Sequence, residues 1–294
     1  MDLHFTKMHG LGNDFVIVDD LAREWDFDPD AVRLLCDRHF GIGGDGLILV
    51  RPATAQGADF FMLYFNADGT TAEMCGNGIR CFAKWLVDRG HVAGDSVNVQ
   101  TLGGVRPVEV ERDADGRMTV ARVDMGAPVL DPPSIPTTFV GDQVFECPLD
   151  TALGTFKITA VSMGNPHAVI WVDDIDTAPV ETAGPIIERD PHFPAKTNVE
   201  FAQLVVGETD RVRLRVWERG VGETLACGTG ACATGVAAAL SCRTGRTLTV
   251  ELPGGELGVA WSPDGHVYMT GTAEEVFCGT FRIADEDEGD DTGV

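Results

Sequence analysis

Lysine is scarce: only Lys7, Lys84, Lys157 and Lys196 occur in 294 residues, and arginine supplies the rest of the positive charge. Acidic residues number 46 against 22 basic ones, for a net charge of −24. Such a surface lacks the basic patches that phosphate neutralisation needs, which argues against nucleic acid as a partner. An ordinary acidic enzyme would fit this balance. Composition favours a halophilic surface, whose self-repulsion is screened in concentrated salt. Also missing is any run of about 18 apolar residues, so no membrane span is expected. The stretch Met1 to Phe15 mixes charge with glycine and lacks the basic-then-apolar layout of a signal peptide, which makes the cytoplasm the default location. No two of the eight cysteines have C-x-x-C spacing. The thiols therefore point to chemistry or burial, not to a redox motif or a disulfide framework.

What is present is enough apolar sequence, 44%, for more than one core. Strand-like segments join at a glycine turn within Leu3–Asp19, and a helical segment follows over Pro29–His39. Further strands are expected over Leu47–Val50 and Asp59–Asn66, a helix through Ile79–Arg89 ended by Gly90, and paired strands over Val97–Val110 and Met118–Val123. Asp131–Pro136 fits a connection. Later strands are expected at Ala160–Met163, Val212–Trp217, Thr247–Leu252, Leu257–Trp261, Val267–Gly271 and Glu275–Phe281. The stretch Gly41–Gly46 matches G-x-G-x-x-G, but a helix precedes it and a strand follows, the reverse of a dinucleotide site.

One motif occurs twice. Cys75-Gly76-Asn77-Gly78 and Cys227-Gly228-Thr229-Gly230 share the form C-G-x-G, and each stands between a strand and a helix. Their separation is near half the chain, as a duplicated domain would give. The first N–H groups of a helix lack intrahelical partners, and glycines let a ligand approach them closely. With the helix dipole they form a carboxylate cradle and are expected to stabilise a thiolate. Two such thiols suit epimerisation at an amino-acid α-carbon: one removes the proton as thiolate, and the other delivers one from the opposite face. The cradles would steady the negative charge that develops on the carboxylate. Zinc held by Cys75, Cys81, Cys227 and Cys232 is disfavoured, because spacings of six and five turn helical side chains apart. Cys81 and Cys232, and likewise Cys36, Cys147, Cys242 and Cys278, are expected to serve packing.

At these residues the chain resembles the diaminopimelate epimerases. The similarity is carried by Lys7-Met8-His9-Gly10-Leu11-Gly12-Asn13-Asp14-Phe15, Phe65-Asn66-Ala67-Asp68-Gly69 and Met74-Cys75-Gly76-Asn77-Gly78-Ile79-Arg80-Cys81. It continues through Met163-Gly164-Asn165-Pro166-His167, Thr197-Asn198, Val216-Trp217-Glu218-Arg219-Gly220 and Thr224-Leu225-Ala226-Cys227-Gly228-Thr229-Gly230. The resemblance implies an α/β (α+β) fold of two pseudo-symmetric domains, each a mixed sheet around a central helix, with the active site in the cleft between them. The expected division is 1–125 completed by 276–284, then 126–275, with an acidic disordered tail over 285–294. It also implies interconversion of LL- and meso-diaminopimelate for lysine supply, without pyridoxal phosphate, another cofactor or a metal. By motif, Cys75 and Cys227 would be the acid–base pair. Gly76, Asn77, Gly228 and Thr229 would hold the reacting carboxylate by their amides. Asn13, Asn66, Asn165, Asn198, Glu218 and Arg219 would bind the remainder of the substrate, with His167 and Glu218 supporting the site.

A guanidinium at Arg219 can take the distal carboxylate bidentately, and asparagine oxygens can accept from the distal ammonium. Gly46 stands where many members of the family have glutamine. Proline racemases and hydroxyproline epimerases resemble the same fold, but they usually carry histidine where Asn77 stands and lack the Asn66, Asn198, Glu218 and Arg219 set. The oligomeric state is left open, a homodimer included.

Overall fold

The computed structural model describes residues 1–283. The acidic tail expected over 285–294 lies outside them. Strands β1 (Asp2–Gly10) and β2 (Asn13–Asp19) lead to α1 (Pro29–Cys36), β3 (Gly46–Pro52), β4 (Phe60–Asn66), α2 (Gly76–Asp88), β5 (Ser96–Thr101), β6 (Gly104–Arg112) and β7 (Met118–Asp124). After a single 3₁₀ turn at Pro132–Ser134 come β8 (Cys147–Thr151), β9 (Gly154–Ser162), β10 (Pro166–Trp171), α3 (Val180–Glu188), β11 (Asn198–Leu204), β12 (Arg211–Glu218) and β13 (Gly222–Thr224). The chain ends with α4 (Gly228–Leu240), β14 (Thr247–Leu252), β15 (Gly255–Trp261), β16 (Val267–Gly271) and β17 (Glu274–Arg282).

The pairing pattern is the same in both halves. In the first, β1–β2 is antiparallel, β2–β3 parallel, β3–β4 antiparallel, β4–β5 parallel, and β5–β6–β7 antiparallel. In the second, β9, β10, β11, β12, β14, β15 and β16 repeat that series in order. Each parallel pair requires a crossover, and each crossover carries a helix. Thus α1 matches α3, and α2 matches α4. The flanking strands match too: β8 pairs with β9 as β17 pairs with β1, so the last strand completes the first half. The equivalent strands β7 and β16 pair antiparallel and join the halves. Two pseudo-symmetric α+β units result, each with a mixed sheet around one central helix.

The central helices are buried for different reasons. On α2, Ile79, Phe82, Trp85 and Leu86 fill the first half's core. On α4, a run of alanine, glycine and valine lets the sheet come close; a Cβ on Gly235 would stand 2.6 Å from Val259 Cγ1. The outer helices carry separate cores, with Val32 and Leu35 under α1 and Val180, Ala183 and Ile187 under α3.

Some expectations need correction. Helix α1 stops at Cys36, three residues short of His39, because Asp37 turns to extended backbone and its carboxylate accepts from the amides of His39 and Phe40. Strands β8, β10, β11 and β13 and helix α3 were not anticipated. Cys36, Cys81 and Cys232 are buried in the core as expected; Cys147 is only half-buried, and Cys242 and Cys278 are exposed, so packing does not account for those two. Cys242 lies just past the end of α4, in left-handed backbone, where no core remains to cover it.

Candidate active site

Cys75 and Cys227 are the N-cap residues of α2 and α4, with nearly the same extended backbone: φ −135°, ψ 115° and φ −123°, ψ 108°. Each thiol thus hangs beside amides that the helix itself leaves unpaired. The Gly78 amide donates to Cys75 Sγ at 3.4 Å, and Thr229 Oγ1 lies 3.6 Å from Cys227 Sγ. Gly76 and Gly228, the first residues of the two helices, back onto a single side chain: added Cβ atoms would meet Met269 at 3.0 and 2.9 Å.

Asn77 ties the two helix starts together. Its Nδ2 donates to the Ala226 carbonyl, next to Cys227, at 3.0 Å, and to Asn13 Oδ1 at 3.1 Å. Asn13 in turn donates to Asp45 at 2.7 Å. Asn66, at the end of β4, is held by Thr70 at 3.0 Å. Register places Asn66 opposite Gly46. No side chain fits at Gly46, since a Cβ there would lie 2.5 Å from both the Tyr64 ring and the Phe65 carbonyl.

The second half contributes a compact group from neighbouring strand ends. His167 pairs in register with Asn198. His167 Nε2 lies 2.9 Å from Asn165 Oδ1, and its Nδ1 lies 2.6 Å from Glu200 Oε1. Asn198 donates to the Pro166 carbonyl at 2.8 Å and accepts from the Arg219 amide at 2.9 Å. The Arg219 side chain is exposed, and its guanidinium donates to the Ala195 carbonyl at 3.0 Å, with no carboxylate on it among the described residues. Glu218 accepts from the Thr224 hydroxyl at 2.6 Å and is also within hydrogen-bond reach of the Cys227 thiol.

The expectation that helix N-termini leave the thiols readily ionised is not met. Burial pushes Cys75 up to about 11, against the favourable pull of the Gly78 amide. Burial raises Cys227 well above the ordinary thiol value, and the carboxylates of Glu218 and Glu200 push in the same direction. Glu218 and Glu200 are themselves raised, chiefly by burial. Desolvation disfavours every anion here, and the partial charge of a helix end does not offset it.

Two participants escaped sequence reasoning. Glu200, fully buried, underlies His167 and would lie 2.9 Å from a Cβ on Gly230; its Oε2 has no hydrogen-bond partner among the described residues. The signal was an acidic residue inside an apolar strand, Asn198–Leu204. Arg80, also fully buried, donates to Asn77 Oδ1 at 3.0 Å. The signal there was a cation one turn after Gly76 on an otherwise apolar helix face.

Comparison with known proteins bears on the family of the chain. The family model described as diaminopimelate epimerase matches residues 5–130 and 159–276. A diaminopimelate epimerase of Pelotomaculum thermopropionicum is 51% identical over 282 residues, covering 95% of this chain and 99% of that one. One from Moorella thermoacetica is 50% identical over 283 residues, covering 96% and 100%. Among solved structures, a hydroxyproline epimerase from Agrobacterium vitis superposes with a TM-score of 0.70 at 15% identity, covering 95% of this chain and 91% of that one. A PhzF-family phenazine biosynthesis protein from Bacillus anthracis gives 0.69 at 18% identity, covering 96% and 100%; at such identities the likeness is one of fold alone. By sequence along nearly its whole length, this chain belongs to the diaminopimelate epimerase family.

Proposed function

We propose that this protein interconverts LL- and meso-diaminopimelate in the cytoplasm, for lysine biosynthesis, with Cys75 and Cys227 as a two-thiol acid–base pair and no cofactor. The observation that carries this is the matched pair of cysteine caps, bridged by the hydrogen bond from Asn77 to the Ala226 carbonyl. The reacting carboxylate lies between the helix starts, on the amides of Gly76, Asn77, Gly228 and Thr229, where donors that the helices themselves leave unused meet developing negative charge. One thiolate takes the α-proton and the opposing thiol returns one to the other face, so the pair exchanges protonation states at each turnover. Both thiols start protonated, so one proton must leave for solvent on binding, helped by the substrate's own ammonium.

The distal end needs a cation for its carboxylate and acceptors for its ammonium. Arg219 has no carboxylate partner among the described residues and is positioned by Asn198 for the first task. Asn13, Asn66 and Asn165 supply oxygens for the second, and His167 holds Asn165 in place. The net charge of −24 suits this chemistry to concentrated salt.

The test is deuterium uptake at the α-carbon of LL-diaminopimelate in D2O, in concentrated salt and in dilute buffer, with proline as control. Uptake with formation of the meso isomer, absent for proline, is expected. Uptake from proline alone would overturn the substrate, and full activity in dilute buffer would overturn the salt requirement.

A further inference from the structure

Arg80 is fully buried, yet no carboxylate among the described residues neutralises it. Its guanidinium donates to neutral acceptors only. Nε reaches the Thr272 carbonyl at 3.1 Å, Nη1 the Gly76 carbonyl at 3.1 Å and Met269 Sδ at 3.6 Å, and Nη2 reaches Asn77 Oδ1 at 3.0 Å. A buried charge is strongly unfavourable until an opposite charge completes it. The location makes this worse. The guanidinium reaches back to the first turn of α2, the positive end of the helix dipole, where anions and not cations are favoured. No acidic residue stands in that turn. Burial accordingly pulls Arg80 below its ordinary value.

The second half has no counterpart. Arg80 follows Cys75 by five residues, and the residue five after Cys227 is Cys232, neutral and fully buried. Near Cys227 stand Glu218 and Glu200, both unfavourable to a thiolate. Cys75 also feels Glu218, and Arg80 opposes that push with a smaller pull toward the thiolate that Cys227 does not have. The other titratable groups facing Arg80 are Cys81 on its own helix and Cys232 on α4; Glu274, at the start of β17, acts on Cys81. From β16 and the residue that follows it come only the Met269 sulfur and the Thr272 carbonyl. Tyr64 also feels the charge of Cys75.

We propose that Arg80 is the fixed positive charge of the cleft, without an anionic partner among the described residues, so that a thiolate at Cys75 and the carboxylate of a bound substrate complete it. Arg80 touches neither sulfur nor the reacting carbon. It is a positioning residue, acting through Asn77 and through its field. The consequence is that the two cysteines are unequal at rest, and the first-half thiol ionises first. The role toward a carboxylate rests on the proposed function; the inequality of the thiols does not.

The experiment uses the full chain without substrate. Iodoacetamide alkylation is followed from about pH 7 to 12.5 by peptide mass mapping, with circular dichroism checking the fold at each pH, and each cysteine's midpoint, or its lower limit, is read. The midpoint matters more than the rate, because Cys227 is the more deeply buried thiol. Cys75 is expected to titrate about one pH unit or more below Cys227, and Arg80→Met to move Cys75 up by about one unit, a tenfold loss of thiolate at fixed pH. Arg80→Lys keeps the charge and should hold the Cys75 midpoint within about half a unit of the parent. Circular dichroism melting verifies folding. Should the methionine variant not fold, the order of the two midpoints in the parent chain decides. Cys227 ionising first, or a Cys75 midpoint unmoved in folded Arg80→Met, would overturn the proposal. The deuterium assay is independent, so either result can fail without the other.

Discussion

The two cysteine helices begin alike and differ in nearly everything around that beginning. Cys75 and Cys227 share a cap conformation to within about 12° in φ and 7° in ψ, by difference of the two pairs of angles. Helix α2 buries large side chains and a cation, Arg80; α4 buries alanine and glycine and stands over two carboxylates, Glu200 and Glu218. Duplication has kept the backbone that aims each sulfur, and the surroundings have diverged. That division suits the chemistry. Attack on two faces of one carbon asks for two like thiols, whereas binding a chiral molecule by one end asks for unlike walls.

The strongest way to test the likeness is to remove each thiol in turn. Cys75→Ala and Cys227→Ala should each lower epimerisation by about a thousandfold or more, with melting temperatures near the parent's. A single variant that still epimerises would break the equivalence, because one sulfur would then suffice for both faces.

The unlikeness can be tested at the glycine three residues after each cysteine. A methyl at Gly230 would meet Glu200 Oε1 at 2.9 Å, and that carboxylate is locked to His167. A methyl at Gly78 meets Ile48 Cδ1 at 3.2 Å, the end of a side chain that can shift. Gly230→Ala is expected to cost about 1–3 kcal/mol by overpacking and to lower turnover by about tenfold through displaced His167 and Asn165. Gly78→Ala should cost less on both counts. Equal losses in stability and rate would mean that Glu200 yields as easily as Ile48.

The smallest effect concerns the seam between the halves. His266 Nδ1 lies 2.9 Å from both oxygens of Asp124, at the end of β7, and that contact raises the histidine above its ordinary value. Its proton is therefore held more tightly in the folded chain. The stabilisation is complete below about pH 6.5 and fades as pH rises through the folded value. His266→Ala should lower Tm slightly at pH 5.5 and not at pH 9; a Tm difference independent of pH would assign the contact to packing.

Much of the site was legible in sequence because its parts are local. C-G-x-G before a helix fixes both caps, and the turns carrying Asn13, Asn66 and Asn165 are marked by glycine or proline neighbours. Helix α3 was illegible because Pro185 lies inside it and Gly184 precedes that proline. Tertiary packing explains the glycine: a Cβ there would stand 2.6 Å from Trp217 Cγ. Strands β10 and β11 form a parallel pair within the sheet; β10 is buried at every residue but Trp171 and so lacks the alternation that marks a half-exposed strand, and β11 buries even its polar Asn198 and Glu200. Arg80 and Glu200 were missed because the partners that define them are remote in sequence, and the ionisation of the thiols was misjudged because burial cannot be read from a motif.

The pairing of β17 with β1 sets an order of events during synthesis. The strand that closes the first half leaves the ribosome after every other strand of the described residues, so β1 must wait, with one edge open, while the second half is made. A chain interrupted after β16 would hold both cysteine motifs and still lack the wall that covers Leu3 and Phe5. On the proposed function, catalytic competence thereby becomes contingent on translation through β17.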